Sequence, residues 1–483
     1  MAKGLEMLIV FLVYSVAVAV FGVVMAGKQK SGEQFLLASR SLGSGLVFAT
    51  TLATLIGTGS SMGACGLGYK MGFSGLVYGI GSVTGMLLVT LLFTDTRKYG
   101  FATMSEEVSM YYGANKPIQI IVAALLFLAE VGWLGVHMMG GGTYLSWVTG
   151  LDIKLAILIT ALAFAVYSLF GGYLAVVWTD LVQLIVLSAG LLLLGIMSVP
   201  AAGGWERIRQ AVPQDYFKLL GPSSGGIWPL IALWLSLIIQ APCMPAYRQR
   251  IYSSRSVEDA RKSFLLTAVC YAAFMFIPIV IGISAYAINP KLPRQDLAFP
   301  FMLTNVFPPL LGALFLSAGL SATASSADSD LIAAVSLLIS DLWYLVTGKL
   351  PAKEKMVAYS RVGTGVVAAI AFCFTLFAKS IIDLITKLAG TVFSGLVVTI
   401  LLGRYWKRAT WQGGVASIVC GSTTAFLVMG NPAWKAAWSQ PAVPALIAAF
   451  IAHVAVSLLT PATSVPESQA LEILKARRQQ MGL

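Results

Sequence analysis

The chain has 483 residues, of which 58% are hydrophobic and 11% are charged, and its net charge is +12. Soluble domains usually carry about 25% charged residues, so this composition excludes an ordinary soluble domain and predicts a protein with many membrane spans. The basic residues fall in short loops between apolar runs. Positive-inside topology explains this pattern, whereas nucleic-acid binding does not.

Apolar stretches that are long enough to cross a bilayer, which takes about 20 residues, occur about thirteen times. We therefore predict an all-α membrane protein with a single domain, residues 1–483. The distribution of Lys and Arg among the loops predicts insertion in the cell membrane with the N-terminus outside and the C-terminus in the cytoplasm. The predicted spans are 5–26, 44–68, 74–96, 117–147, 153–171, 173–200, 227–244, 263–288, 310–345, 357–378, 381–403, 412–430 and 442–460.

Two of these spans contain helix-breaking residues. The second carries Leu55-Ile-Gly-Thr-Gly-Ser-Ser61, and the seventh ends in Gln240-Ala-Pro-Cys-Met-Pro245, where prolines remove backbone donors. Irregular backbone at membrane depth is tolerated where it lines a watery cavity, and broken spans in matching halves indicate a transporter site. The alternative is that the glycines only allow close helix packing. We predict that the solute site includes Gly57, Thr58, Ser60 and Gln240.

The fourth span adds a polar and aromatic stripe. Glu130, Trp133 and His137 are spaced i, i+3, i+7 and share one helix face. This pattern suits the wall of a solute site, with the indole packing against the solute, and we include the three residues in that site. The alternative is a histidine that is hydrogen-bonded to a neighbour and has no role in binding.

The span 310–345 is apolar except for a polar centre, Ser325-Ser326-Ala327-Asp328-Ser329. A carboxylate inside a membrane helix is costly and usually marks the path of an ion or a solute. Positions 322, 325, 326 and 329 lie three or four apart and share one face, which offers oxygen ligands to a hard monovalent cation. Asp180 lies at similar depth in another span, so two acids can share that cation. The alternatives are that Asp180 caps a kinked helix and that Asp328 snorkels to the surface.

Two further groups have less specific interpretations. Asp330 points to a different helix face from Ser325 and is interpreted as a residue of an inner vestibule. The basic cluster from Tyr247-Arg-Gln-Arg250 to Arg261-Lys262 is interpreted as an anchor in an inner loop.

Several motifs together resemble the sodium/solute symporter family, which includes pantothenate, proline, sugar and choline carriers. The resemblance covers nearly the whole chain. It rests on Arg40-Ser-Leu-Gly-Ser44, Gly171-Gly172 with Trp178-Thr179-Asp180, Gln249-Arg250, the segment Ser325–Ser329, and Gly403-Arg-Tyr-Trp406-Lys-Arg408.

The resemblance implies a leucine-transporter-type core of two inverted five-helix repeats. These correspond to residues 44–200 and 227–403, with one extra helix before them (5–26), two after them (412–460) and a cytoplasmic tail (461–483). It also implies a main sodium site at Ala53, Ile56, Ala322, Ser325 and Ser326. A second sodium site in some members corresponds to Asp180, Asp328 and Ser329, together with Ser325.

The sequence thus predicts a sodium-coupled symporter that imports a small polar organic solute by alternating access. The alternatives are a proton-coupled carrier of the same fold and a transporter-like sensor. An enzyme is not expected, because no nucleophile–base set is evident. The expected partners are the sodium ion, the solute and membrane lipid, without nucleic acid or an obligate protein partner. The solute is left open, because Leu55 replaces the acid of proline carriers, and Leu55 and Met244 replace aromatic residues of choline carriers.

Overall fold

The computed structural model describes residues 2–483 except 222–225, 307–308, 350, 377–380, 464 and 482. The described residues form helices joined by turns, with no β-strand among them, and an isolated backbone bridge links Leu42 and Ser254. The predicted all-α class is therefore confirmed.

Nine α-helices lie among the described residues from Ala2 to Ala211. Their ends follow local sequence signals: the helix that begins at Lys116 is capped by the Asn115 side chain, which accepts from the Ile118 N–H, and ends at Gly150 with φ of 73°. The helices are α1 (Ala2–Ala26), α2 (Gly32–Leu37), α3 (Ser44–Leu55), α4 (Ala64–Met71), α5 (Leu76–Phe93), α6 (Met104–Met110), α7 (Lys116–Thr149), α8 (Ile153–Ala201) and α9 (Gly204–Ala211).

From Ile227 onward, the part of the chain that the structure describes contains fourteen further α-helices. The predicted span 357–378 corresponds to a helix that ends at Thr375, and residues 377–378 of that prediction lie outside the described residues. The helices are α10 (Ile227–Gln240), α11 (Pro245–Ser253), α12 (Val257–Phe274), α13 (Phe276–Ile288), α14 (Ala298–Val306), α15 (Pro309–Ser336), α16 (Trp343–Thr347), α17 (Met356–Thr375), α18 (Ile381–Leu388), α19 (Ser394–Tyr405), α20 (Trp411–Gly430), α21 (Pro432–Trp438), α22 (Ala442–Leu459) and α23 (Glu467–Met481).

The apolar helices are long enough for a multi-pass membrane protein. In the described part of the chain, nine helical stretches have the length and composition of a membrane span, or ten when α10 and α11 count as one bent span. Shorter apolar helices of 10–17 residues occupy Ser44–Leu55, Ile153–Ala165 and Gly390–Tyr405. Multiple membrane crossings follow from these helices, while the number of about thirteen stays a prediction.

Both predicted helix breaks are present. α3 ends at Leu55, Ile56 has non-helical angles (φ −85°, ψ 57°), and a wide turn over Gly59–Gly63 leads into α4. The stretch Ile227–Cys243 and the helix α11 meet at a bend of 41°. In addition, α8 covers two predicted spans and kinks between them at Gly172. The φ of this glycine is +59°, and a Cβ there would lie 2.7 Å from the Phe35 carbonyl oxygen.

The broken spans meet around α15 in the interior of the bundle. α15 contacts α3, α7, α8 and α11. The backbone N–H of Leu42 donates to Ser253 O at 3.1 Å, and the N–H of Arg255 donates to Leu42 O at 2.8 Å. These bonds hold the start of α3 beside the end of α11, so the two interrupted elements have a fixed relation to each other.

The interpretation of the basic cluster as a loop anchor is wrong for its first members. Arg248 and Arg250 are completely buried, because α11 continues into the protein interior instead of ending in a loop. The Arg248 guanidinium lies 3.6 Å from the centre of the Phe93 ring and donates to Pro242 O at 3.1 Å. Arg261 and Lys262, on α12, are exposed.

The tail that follows the last predicted span forms a helix on the bundle. α23 buries Ala470, Leu474, Arg478 and Met481, which follow a helical spacing of three or four residues. Arg478 forms a buried ion pair with Glu106 and donates to Tyr99 O at 3.1 Å.

We expect Arg478→Ala to lower the free energy of unfolding by about 3–5 kcal/mol, because it leaves the Glu106 carboxylate buried without its partner. Chemical unfolding of the purified protein in detergent measures the change. The control is Lys475→Ala on the exposed face of the same helix, which should change stability by well under ~1 kcal/mol. Equal effects of the two substitutions would contradict a structural role for the pair.

Candidate functional site

A cavity lies between the two broken spans. It contains about 560 Å³ of empty space, part of it open to solvent, of which about 50 Å³ can be occupied by the centres of water molecules. Five of the residues predicted for the solute site line it: Gly57, Ser60, Trp133, His137 and Gln240.

The other two predicted solute residues lie behind the cavity wall. The Thr58 hydroxyl lies 2.8 Å from His137 Nδ1 and fixes the orientation of the imidazole. A carboxylate oxygen of Glu130 accepts the backbone N–H of Ala246 at 3.3 Å, in the first turn of α11. Thr58 and Glu130 therefore support residues of the wall and do not line it themselves.

The cavity wall also contains residues that the sequence reasoning did not assign to the solute site. Tyr78, Met244, Tyr247 and Asp330 all contribute to it. Asp330 is four residues after Ser326, which also lines the cavity, so helical spacing on α15 was a signal for its position. Tyr78 lies on α5, and no sequence pattern connected that helix with the broken spans.

Two polar groups of the wall are free to bind a ligand. The indole Nε1 of Trp133 and the side-chain Oε1 of Gln240 are buried and have no hydrogen-bond partner among the described residues. Trp133 is 4% exposed. A buried polar atom without a partner costs free energy, so these atoms are positioned to be satisfied by a bound molecule.

Gly57 allows close contact between the break in the second span and α15. A Cβ at this position would lie 2.4 Å from Ser326 Oγ and 2.9 Å from His137 Cε1. Because such distances are not tolerated, any larger residue would push α3 away from α15. Close approach is therefore the physical role of this glycine, in addition to its helix-breaking effect.

The residues predicted for the main sodium site lie at the contact of α3 and α15. Ser325 Oγ donates to Ala53 O at 3.0 Å, and Ser326 Oγ donates to Thr54 O at 2.8 Å. Ser326 Oγ also lies 3.4 Å from Ala322 O. Ile56 is buried directly before Gly57. Carbonyl oxygens at the end of a helix lack intrahelical partners, so this arrangement combines hydroxyls with carbonyls that are not used by the helix itself.

The residues predicted for a second sodium site do not form one cluster. Asp180 accepts a hydrogen bond from Thr50 and lies 3.4 Å from Arg250 Nη2, and Ser329 accepts from the same nitrogen at 2.6 Å. Asp328 is completely buried, which excludes snorkelling, and neither of its carboxylate oxygens has a hydrogen-bond partner among the described residues.

The guanidinium of Arg250 is the centre of the cluster around Asp180. Its Nη1 donates to Ala246 O at 2.9 Å, within α11. Its Nη2 is surrounded by four side-chain oxygens from three other helices: Thr50 and Thr54 on α3, Asp180 on α8 and Ser329 on α15. The sequence reasoning missed Thr50, Thr54 and the role of Arg250. Thr50 and Thr54 are spaced i, i+4 on α3 and were a weak signal.

Interrupted helices around a polar cavity, in a helical protein with multiple membrane crossings, define a secondary transporter. A model of the sodium:solute symporter family matches residues 35–421, and the chain belongs to this family. The chain is accordingly a transporter and not an enzyme, and the coupling ion of its family is sodium.

Relatives and solved structures agree with this family. The chain is 26% identical over 434 residues to the sodium/pantothenate symporter of Haemophilus influenzae, with 86% of this chain and 88% of that protein covered. It is 27% identical over 451 residues to the high affinity choline transporter 1 of Homo sapiens, with 87% and 76% covered. The substrate-bound, outward-open structure of a Na+-coupled sialic acid symporter matches with a TM-score of 0.81 at 18% identity, covering 95% of this chain and 99% of that one. At this identity, the structural match shows the fold alone.

Proposed function

We propose that the protein imports a small polar organic solute together with sodium, by alternating access in the cell membrane. One observation supports the coupling most directly. Ser326 lines the cavity, and its hydroxyl also donates to Thr54 O at 2.8 Å beside Ala53 and Ser325. A change in the positions of these oxygens would therefore be transmitted to the solute cavity through the Ser326 side chain.

The main sodium site in this proposal consists of Ala53, Ile56, Ala322, Ser325 and Ser326. Their oxygens are the ligand type that a hard cation prefers. In the ion-bound state, the Ser325 hydroxyl turns its proton away from Ala53 O, so that both oxygens face the ion. Sodium then joins the end of α3 to α15, which favours the conformation that binds solute. Asp180, Asp328 and Ser329 remain a predicted second site, at which Arg250 is a competing cation.

The proposal includes the remaining sequence predictions on topology. We place the N-terminus outside and the C-terminus in the cytoplasm, with inverted repeats over residues 44–200 and 227–403 in one domain. Apolar side chains such as Val13, Leu91 and Val346 are exposed on the outer surface and would contact lipid. No obligate protein partner is proposed.

Reconstitution into liposomes tests the coupling. Uptake of a panel of labelled solutes is measured with an inward sodium gradient and with an equal potassium gradient, at fixed pH. We expect accumulation of at least one solute in sodium only. Equal uptake in the two salts would contradict sodium coupling, and dependence on a pH gradient instead would establish the proton-coupled alternative. Saturable binding without accumulation would indicate a sensor.

A substitution at Trp133 should weaken solute binding without affecting sodium binding. Because Trp133 lines the cavity and its buried Nε1 has no hydrogen-bond partner among the described residues, we expect Trp133→Ala to weaken solute binding by tenfold or more and to leave sodium-induced stabilisation intact. Thermal unfolding in sodium and in potassium, with and without the transported solute, measures both effects. Trp343→Ala, at an exposed indole, is the matched control and should change neither. Loss of the sodium response with unchanged solute affinity would contradict this assignment.

A further inference from the structure

The wall of the central cavity carries a negative charge without a fixed positive partner. Among the described residues that line it, Asp330 is the one acid, and none is lysine or arginine. Asp330 is 1% exposed. Burial of a charge without a counter-charge is costly, so a cation in the cavity would offset a cost that already exists.

His137 does not have to supply that counter-charge. Its Nε2 lies 3.3 Å from Asp330 Oδ2, and its Nδ1 lies 2.8 Å from the Thr58 hydroxyl. A neutral imidazole satisfies both contacts when it accepts the hydroxyl proton at Nδ1 and directs its Nε2–H towards Asp330. The histidine then orients the carboxylate and leaves its charge in place.

A second buried acid, Glu130, lies beside Asp330. The carboxyl groups of Glu130 and Asp330 are close enough to interact electrostatically and through a side-chain hydrogen bond. Arg250 also acts on Glu130, but its hydrogen bonds go to other groups, with Asp180 as its carboxylate partner. Because two neighbouring buried carboxyl groups resist ionising together, the pair shares one proton and carries a single negative charge, which a cation beside Asp330 would balance.

The rest of the wall is suited to a cation that donates hydrogen bonds. The rings of Tyr78, Trp133 and Tyr247 provide π faces, which attract cations. The free oxygen of Gln240 is an acceptor for an N–H group, and the free Nε1 of Trp133 is a donor for an oxygen elsewhere on the solute. An anionic solute would meet Asp330 without an ion pair to balance the repulsion.

We propose that the solute is a small organic cation with an N–H-bearing ammonium or amidinium group, which binds at Asp330. This inference rests on the proposed function, because it concerns the solute of the same cavity. It specifies the charge and the hydrogen-bonding character of the solute. Membership of the family does not determine these properties.

Matched probes test the charge preference on the unaltered, full-length protein. Each set consists of three primary amides of equal chain length whose far end is an ammonium, a methyl or a carboxylate group; 4-aminobutanamide, pentanamide and glutaramate form one set. Thermal unfolding is recorded in sodium for sets of several lengths. We expect stabilisation by ammonium members, and at least tenfold weaker binding of the methyl and carboxylate members. Equal or tighter binding of a neutral or anionic member, or no stabilisation by any ammonium member, would overturn the proposal.

Replacing Asp330 by asparagine, which has a similar shape, tests whether this residue recognises the ammonium group. Asp330→Asn should weaken binding of the ammonium probe at least tenfold, while the sodium-induced shift in melting temperature remains. The control is Asp341→Asn, a buried acid that accepts a hydrogen bond from Gln119 at 3.1 Å and does not line the cavity. Equal probe affinity in Asp330→Asn and the parent would overturn the assignment. If Asp330→Asn does not fold, the comparison of probes on the parent still decides the charge preference.

Failure of this inference differs from failure of the proposed function. Sodium-driven accumulation of a carboxylate or of an uncharged solute would retain sodium-coupled import and refute the cationic solute. Binding of ammonium probes together with uptake that is equal in sodium and potassium would support the cationic solute and refute sodium coupling.

Discussion

Ser325→Ala is expected to raise the sodium concentration for half-maximal transport by tenfold or more, which corresponds to about 1.4 kcal/mol of ion binding. Ser325 Oγ faces Ala53 O across the contact of α3 and α15, at 3.0 Å. Alanine has nearly the same size but offers no lone pair, so the substitution removes an ion ligand at little packing cost. Sodium titrations of solute uptake in proteoliposomes measure the shift.

The comparison variants separate coordination from helix packing. Ser336→Ala removes another buried hydroxyl of α15, one that donates to the carbonyl of its own helix at Ile332, and should leave the sodium curve unchanged. Asp180→Asn affects the predicted second site and also removes the counter-charge of Arg250, and it should shift the curve less than Ser325→Ala. If these hydroxyls only join helices, each is worth less than ~1 kcal/mol, and sodium dependence persists in all variants. An unshifted curve for Ser325→Ala would remove the main sodium site from our proposal.

Arg250→Gln is expected to lower the free energy of unfolding by about 3–5 kcal/mol, because Asp180 is then a buried carboxylate without its counter-charge. Thr50, Thr54 and Ser329 lose a cationic partner at the same time. Chemical unfolding in detergent, followed by circular dichroism, measures the loss. The effect should be independent of sodium if the cluster only stabilises the bundle.

A second substitution identifies the cause of this loss. Adding Asp180→Asn to Arg250→Gln should recover most of the lost stability, since no unpaired charge then remains in the cluster. The surface control is Arg255→Gln, which breaks an ion pair with Asp259 whose arginine is 70% exposed and should cost less than ~1 kcal/mol. Equal losses for Arg250→Gln and Arg255→Gln would contradict the buried pair.

The sequence predicted the features of the fold that depend on local chemistry. Glycine at position 57 and proline at positions 242 and 245 interrupt helices through their own backbone properties, and both breaks occur where those residues lie. The hydroxyl and acid residues of α15 share faces by helical spacing alone. The contact of Ser325 and Ser326 with α3 could therefore be predicted once the fold was assumed.

The partners across the bundle could not be predicted in the same way. Arg250 and Asp180 are 70 residues apart, and Arg250 and Thr50 are 200 apart. Composition indicated a basic loop, because a cluster of arginines near a span end is usually solvated. The buried position of Arg250 depends on how α11 enters the protein, and no local pattern contains that information. Thr50 was missed because a threonine in a membrane helix usually bonds to its own backbone.

The position of Arg250 has a consequence for the energetics of transport. A guanidinium that belongs to the chain is not released, so it adds no driving force over a complete cycle. If Arg250 takes the place of a second ion, one released sodium would supply about 1.4 kcal/mol from a tenfold gradient and about 2.3 kcal/mol from 100 mV, which would limit accumulation of a neutral solute to about 500-fold. For a solute with one positive charge, the same voltage acts on the solute itself and raises that limit by a further ~50-fold. A transporter in which an arginine side chain permanently occupies the place of a second sodium ion could in this way obtain driving force from the charge of its solute.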